Sequence, residues 1–140
     1  MSRPVTDAGT LARRWFYEVW NQRRADSIDE LLAPDCVAHL GDGDHRGIPA
    51  VRKFHAKYLR AIPDLTVDVE DVIADGARSA VRWRFHGTHA GPGLGVAPSG
   101  RPVDVRGISW IRVVDGKIAE AWDSWNFDGF IRALSAPRDD

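Results

Sequence analysis

A single α+β domain, helices first and an antiparallel sheet after, is the fold class this sequence predicts, and three observations predict it. Apolar residues recur at three- and four-residue steps up to Ile62 and at every second position from Leu65 onward, a change from a helical to a strand period. Two Asp-Gly pairs, Asp75-Gly76 and Asp115-Gly116, each stand between alternating runs, where a tight hairpin turn needs positive φ. The length, 140 residues, suits one domain that buries roughly two-thirds of its unfolded surface, so residues 1–140 are read as one unit.

From Asp7 to Arg23, the residues Leu11, Ala12, Trp15, Phe16, Val19 and Trp20 make one apolar stripe, with Arg13, Arg14, Tyr17 and Glu18 between them. This predicts an amphipathic helix with an aromatic buried face. "SIDELL" predicts a short second helix, in which Ser27 and Glu30 form a capping box and Pro34 sets the limit. The third helix begins near Pro49, holds Val51, Phe54, His55, Tyr58, Leu59 and Ile62 on one face, and ends at Pro63-Asp64. Strands follow where Leu65, Val67 and Val69, then Val81, Trp83 and Phe85, alternate with polar residues, and again in "VDVRGISWIRVV" and "KIAEAWDSW". The connection "AGPGLGVAPSG" lacks the strand-to-helix setting of a phosphate loop and reads as a flexible link, a candidate lid. Residues 127–134 predict a last helical turn or two.

The final hairpin has a definite register if Val114 pairs with Lys117 and no bulge intervenes. Ser109 then faces Trp122, Gly107 faces Ser124, and Arg106 faces Trp125. One face carries Val105, Ser109, Ile111, Glu120, Trp122, Ser124 and Asn126; the other carries Arg106, Ile108, Trp110, Asp123 and Trp125. Both hold large apolar groups, which predicts helices over one face and a second copy of the chain over the other, a homodimer through Trp110 and Trp125.

With 44% hydrophobic residues, 28% charged residues and a net charge of -1, the chain has no charge bias toward nucleic acid or an anionic membrane and no deficit of core-forming residues. Small hydrophobic ligands and copies of itself are the expected partners. Cys36 stands alone, and no Cys/His spacing matches a zinc site. With no signal-peptide pattern and no apolar run near the ~18 residues of a membrane span, the expected location is the cytoplasm. Asp42 and Asp44 in "GDGDH" do not extend to the longer ligand pattern of a calcium loop; the segment reads as a turn with His45 in solvent, and no metal is expected.

Six tryptophans, two of them in "EAWDSWN", fit a cavity in which rigid rings supply contact area and a few polar groups fix orientation. His55 on the apolar face of the third helix reads as a packed core residue. His86 shares a face with Arg82 and Arg84, toward the expected dimer side.

The stretches "RRWFYEVWNQ", "IDELLAPDCVAH", "RGIPAVRKF", "IPDLTVDVEDVIADG", "GTHAGPGLGVAPSGRPV" and "RVVDGKIAEAWDSWN", in this order, resemble the SnoaL-like polyketide (ester) cyclases of the nuclear-transport-factor-like superfamily. The resemblance implies a cone-shaped fold, three N-terminal helices packed on a strongly curved antiparallel sheet with a pocket between. It implies a cofactor-free intramolecular aldol closure, in which an aspartate late in the last strand moves the proton. The family's tryptophan, aspartate, two residues, aspartate pattern falls on Trp122, Asp123, Ser124, Trp125 and Asn126, so that a carboxamide, Asn126, stands at the acid/base position; it hydrogen-bonds but exchanges no proton near neutrality. Candidate catalytic residues are therefore Asn126 as an orienting group and His39 or Asp123 as the base. Asp123 qualifies if a bulge reverses the strand's parity, and otherwise pairs with Arg106. Phe16, Trp20, Phe54, Tyr58, Trp83, His89, Ser109 and Trp122 are the candidate pocket residues. A cyclase, isomerase or related proton-transfer enzyme is the leading reading; a non-catalytic ligand-binding protein that has lost the acid/base aspartate is the alternative. An epoxide hydrolase ranks third, because Arg82 lacks the bridging carboxylate two residues beyond it.

Overall fold

The computed structural model describes residues 7–136. Helix α1 (Ala8–Arg14) runs directly into a π-helical segment (Trp15–Asn21); α2 is Asp26–Leu31, α3 Ile48–Ala61 and α4 Phe127–Ser135. Six strands, β1 Leu32–Leu40, β2 Gly43–Arg46, β3 Thr66–Asp75, β4 Arg78–Thr88, β5 Pro102–Val114 and β6 Lys117–Ser124, form one curved sheet in the order β2-β1-β6-β5-β4-β3. Helices cover its inner face, and among the described residues no helix is long and apolar enough to cross a membrane. The sheet is not wholly antiparallel, since β1 and β6 pair in parallel. The β1–β2 hairpin thereby extends the sheet beyond the last strand.

The first helix is two kinds of helix rather than one. Asp7 caps α1 by accepting the Thr10 amide at 2.8 Å, a carboxylate on otherwise unpaired amides. Beyond Arg14 the bonding lengthens, and the Gln22 amide reaches the Tyr17 carbonyl. Trp15 and Trp20, five residues apart, would point roughly 140° apart on an α-helix; the longer i→i+5 repeat of a π-helix lets both line the same hollow. Glu18 anchors the segment through Arg14 at 2.7 Å and Ser27 at 2.9 Å. Ser27 is fully buried and donates to that carboxylate, so the expected capping box with Glu30 does not form: the charged acceptor outcompetes a backbone partner.

Residues 32–46, expected as a helix end and a solvated turn, are instead the β1–β2 hairpin. His45 is half-buried on β2, with its ring edge against Phe54 at 5.1 Å and Nε2 at 2.8 Å from Asp42. The long Gly/Pro connection is tied down at its base, where the Ala90 and Gly91 amides both donate to the Ala61 carbonyl at the end of α3. A side chain at Gly91 would meet the Arg60 carbonyl.

Hairpin β5–β6 turns at Asp115-Gly116, φ 51° and 75°, with Val114 opposite Lys117 as expected. The register then departs from the bulge-free expectation. Val113 pairs with Ile118, but Arg112 pairs with Glu120, so Ala119 is an extra residue in β6 and every later side chain changes face. Ser109 is opposite Asp123, and Trp110 is opposite Trp122. The inner face carries Ser109, Ile111, Asp123 and Trp125. Trp110 and Trp122 lie on the outer face, 45% and 38% exposed. Two expectations are corrected together: Trp122 looks outward, and Trp125 looks inward, away from the face assigned to a partner.

Trp125 packs edge-on to Trp83 at 6.3 Å, Phe85 at 5.4 Å and Phe130 at 5.4 Å. Gly107 makes that cluster possible, because a Cβ there would lie 2.6 Å from the Trp83 ring and 2.9 Å from Trp125 Cβ. Gly107→Ala is expected to lower stability by about 1–3 kcal/mol through overpacking. Urea unfolding followed by tryptophan fluorescence measures this, and a midpoint equal to the parent's would show that the rings yield freely.

Candidate functional site

Two adjoining hollows lie between the inner face of the sheet and the helices. The volume open to the centre of a water molecule is about 70 Å³ in one and about 60 Å³ in the other. Phe16, Trp20, Phe54 and Asp123 line both, and so form the partition between them. The first continues toward Cys36, Ser109 and Ile111; the second runs to Tyr58, Trp83, Phe85 and Trp125.

Each wall follows from a periodicity. Phe16 and Trp20 come from the π-helical segment, Phe54 and Tyr58 from one face of α3, and Trp83 and Phe85 from alternate positions of β4. Trp20 meets Phe54 and Tyr58 edge-on at 6.1 and 6.5 Å, and Trp83 lies against Phe85 at 5.8 Å. Such aromatic pairs hold rings at fixed angles and leave an apolar cavity with stiff walls.

Asp123 is the one carboxylate among the residues lining either hollow. It is half-buried on the wall of both hollows, and burial pushes its carboxyl up to about 6. The Ser109 hydroxyl donates to Asp123 Oδ1 at 2.5 Å, which opposes that rise by favouring the charged form. Trp83 Nε1–H in turn donates to Ser109 Oγ at 2.8 Å. Tyr58 faces the same space, and its phenol is raised above its ordinary value by burial first, then by the Asp42 and Asp123 charges; it stays protonated at neutral pH.

The remaining candidates lie elsewhere. Asn126 caps α4, accepting the Gly129 amide at 2.9 Å, and lines a groove between β5 and α4 rather than either hollow. His39 is on the outer face of β1, stacked on Trp122 at 5.3 Å and 19°. Its Nδ1 is 2.7 Å from Asp44 and its Nε2 is 2.7 Å from Glu120. An imidazole donates through both nitrogens only when charged, and Glu120 first, then Asp44, raise its pKa. His89 is fully buried beneath the Gly/Pro connection, with Nδ1 at 2.9 Å from Ser99 Oγ, and lines neither hollow. His55 Nε2–H donates to the Val19 carbonyl at 2.7 Å, and burial lowers its pKa. Arg82 and Arg84 lie on the outer face, Arg84 bonded to Asp104 at 2.7 and 3.0 Å. Sequence reasoning did not single out Trp15 or Cys36 as lining residues, and the five-residue step from Trp15 to Trp20 was the available signal for the first.

The SnoaL-like polyketide cyclase profile matches residues 10–134. The chain is 30% identical over 122 residues to the nogalonic acid methyl ester cyclase of Streptomyces nogalater, covering 84% of this chain and 90% of that protein. Among solved structures it is similar to a SnoaL-like polyketide cyclase from Jannaschia sp. CCS1, with a TM-score of 0.86, 28% identity and 99% of each chain covered. It is also similar to TsrD of Streptomyces laurentii, with a TM-score of 0.82, 25% identity, and 97% of this chain and 100% of the other covered. The fold, the enclosed aromatic hollow and this match over nearly the whole length agree, and the chain belongs to the SnoaL-like polyketide cyclase family.

Proposed function

We propose that the protein is a cofactor-free cyclase in which Asp123 carries the proton of an intramolecular aldol closure. A carboxylate facing an aromatic hollow, with burial pushing its carboxyl up to about 6, is the observation that supports this reading. A base is most useful when its pKa lies near the working pH, where it is largely ionised yet still holds a proton well. Asp123 takes a proton from a carbon next to a carbonyl, and the enolate carbon attacks a second carbonyl of the same molecule to form the ring's C–C bond. The Asp123 carboxylic acid then returns that proton to the new alkoxide. The rings of Trp20, Phe54 and Trp83 hold a flat, hydrophobic substrate, and water is kept from the enolate by the same walls. The non-catalytic alternative rested on Asn126 at the acid/base position; Asn126 as a helix cap, with Asp123 on the hollow, favours the enzyme.

The family relationship suggests a polyketide ester as substrate, and the ester that names the Streptomyces nogalater relative is the first to try. Asp123→Asn is expected to lower its turnover by about 10²–10⁴. Asn126→Ala should leave turnover unchanged while costing about 1 kcal/mol of stability. Parent turnover should rise with pH to a half-maximum near about 6. An Asp123→Asn protein as fast as the parent would end this reading.

A carboxyl held above its ordinary 3.8 binds its proton more tightly folded than unfolded, so ionisation opposes folding. Stability is lost as pH rises from 3.8 to about 6, and the full penalty, about 3 kcal/mol, applies above that window. Asp123→Asn is therefore expected to unfold at higher urea than the parent at pH 7, with the gain vanishing near pH 4. An equal gain at both pH values would assign it to packing.

On the outer face, Ile73, Ala80, Trp110, Trp122 and His39 are Cα partners in one row across five strands, with Ile73 71% exposed. We propose that a second copy covers this row. Light scattering at micromolar concentration should give a dimer for the parent and a monomer for Trp110→Glu; a monomeric parent would refute it.

A further inference from the structure

We propose that Ser109 and Trp83 are positioning residues for Asp123: the indole N–H commits the serine hydroxyl to one carboxylate oxygen and leaves the other for the ligand. The inference rests on Asp123 as the proton carrier. The three groups stand on adjacent strands, with Ser109 and Asp123 as Cα partners across β5 and β6 and Trp83 opposite Gly107 across β4 and β5. Gly107 has no side chain, so the indole can cross over β5 and bring Nε1 to 2.8 Å from Ser109 Oγ. Trp83 is 4% exposed and Ser109 is 2% exposed, so the bond between them is shielded from solvent.

Proton direction follows from chemistry. An indole N–H only donates and an ionised carboxylate only accepts, so the hydroxyl between them accepts from the first and donates to the second. When Asp123 gains a proton, that proton goes to the oxygen Ser109 does not hold. The carboxylic acid therefore presents its O–H from one fixed oxygen, as returning a proton to a positioned alkoxide requires. The same bond favours the charged form and offsets part of the effect of burial.

The test is the ¹³C NMR titration of the Asp123 carboxyl in the parent and in Ser109→Ala, Ser109→Thr and Trp83→Phe, which needs no substrate. Ser109→Ala should raise the proton affinity of Asp123 by about tenfold. Trp83→Phe keeps a ring in the wall and should raise it by a smaller factor, since the freed hydroxyl is no longer committed. Ser109→Thr restores the hydroxyl and should titrate like the parent. Parent-like midpoints in both Ser109→Ala and Trp83→Phe, or a Thr variant indistinguishable from the Ala variant, would overturn the assignment. Turnover of Asp123→Asn separates the two readings: an inactive variant with unshifted midpoints in the others sinks the positioning role alone. An active Asp123→Asn variant sinks the catalytic reading, and with it the purpose assigned to the positioning.

Discussion

Ala119, the residue of β6 without a partner on β5, is the constraint on which the arrangement of both sheet faces depends. A separate irregularity lies on the other side of the strand, where β1 advances five residues against two of β6. Against β5 the register shifts between Val113 and Arg112, and against β1 it shifts between Leu32 and Val37. Because side chains alternate with a period of two, one extra residue exchanges everything beyond it between faces. Asp123 and Trp125 turn toward the helices, and Glu120 and Trp122 turn away. Were Ala119 paired with Arg112 in a regular ladder, Trp122 would stand opposite Ser109 and the carboxylate would lie on the open face with Trp110.

Once Trp125 points inward, the end of the sheet closes around it. Phe127 and Phe130 of the last helix meet its ring at 5.6 and 5.4 Å, and Asn126 holds the first turn of that helix in place. Asn126 thus starts the helix whose Phe130 also meets Phe85 at 5.8 Å. The second hollow is therefore bounded by residues far apart in sequence, Trp20 from the π-helical segment and Trp125 from the end of β6. Their positions depend on packing more than on local propensity.

What was legible in the sequence divides along that line. The α3 face, the β3–β4 alternation, the Asp115-Gly116 turn and the aromatic wall of Phe16, Trp20, Phe54, Tyr58 and Trp83 were readable, because periodicity and turn chemistry are local. The bulge was not, since Ala119 has no composition that marks it and its position is set by how β6 meets β5. That one gap put Trp122 in the hollow and Trp125 and Asp123 outside it, while the acid/base reading of Asn126 came from the family pattern and not from the register. The β1–β2 hairpin was obscured by Pro34, which reads as a helix stop but sits in β1 where its register against β6 is irregular, between Leu32 and Val37. The π-helical segment carries an α-helical stripe in every respect except the Trp15–Trp20 step.

His39 and Asp123 show why proximity to neutrality is not enough to mark a proton carrier. His39 lies between Glu120 and Asp44, whose hydrogen bonds raise its proton affinity, so the stability this gives is complete below its ordinary 6.5 and fades as pH rises through its raised value. A neutral ring would keep one of the two bonds, and Glu120 would still accept from Arg112 at 3.1 Å. Asp123 is in the opposite condition, with burial opposing its charge and a single serine hydroxyl supporting it. Its ionised form is the strained one, and a substrate proton relieves that strain. Both groups hold a proton more tightly than their ordinary values imply, and of the two only Asp123 lines the hollow.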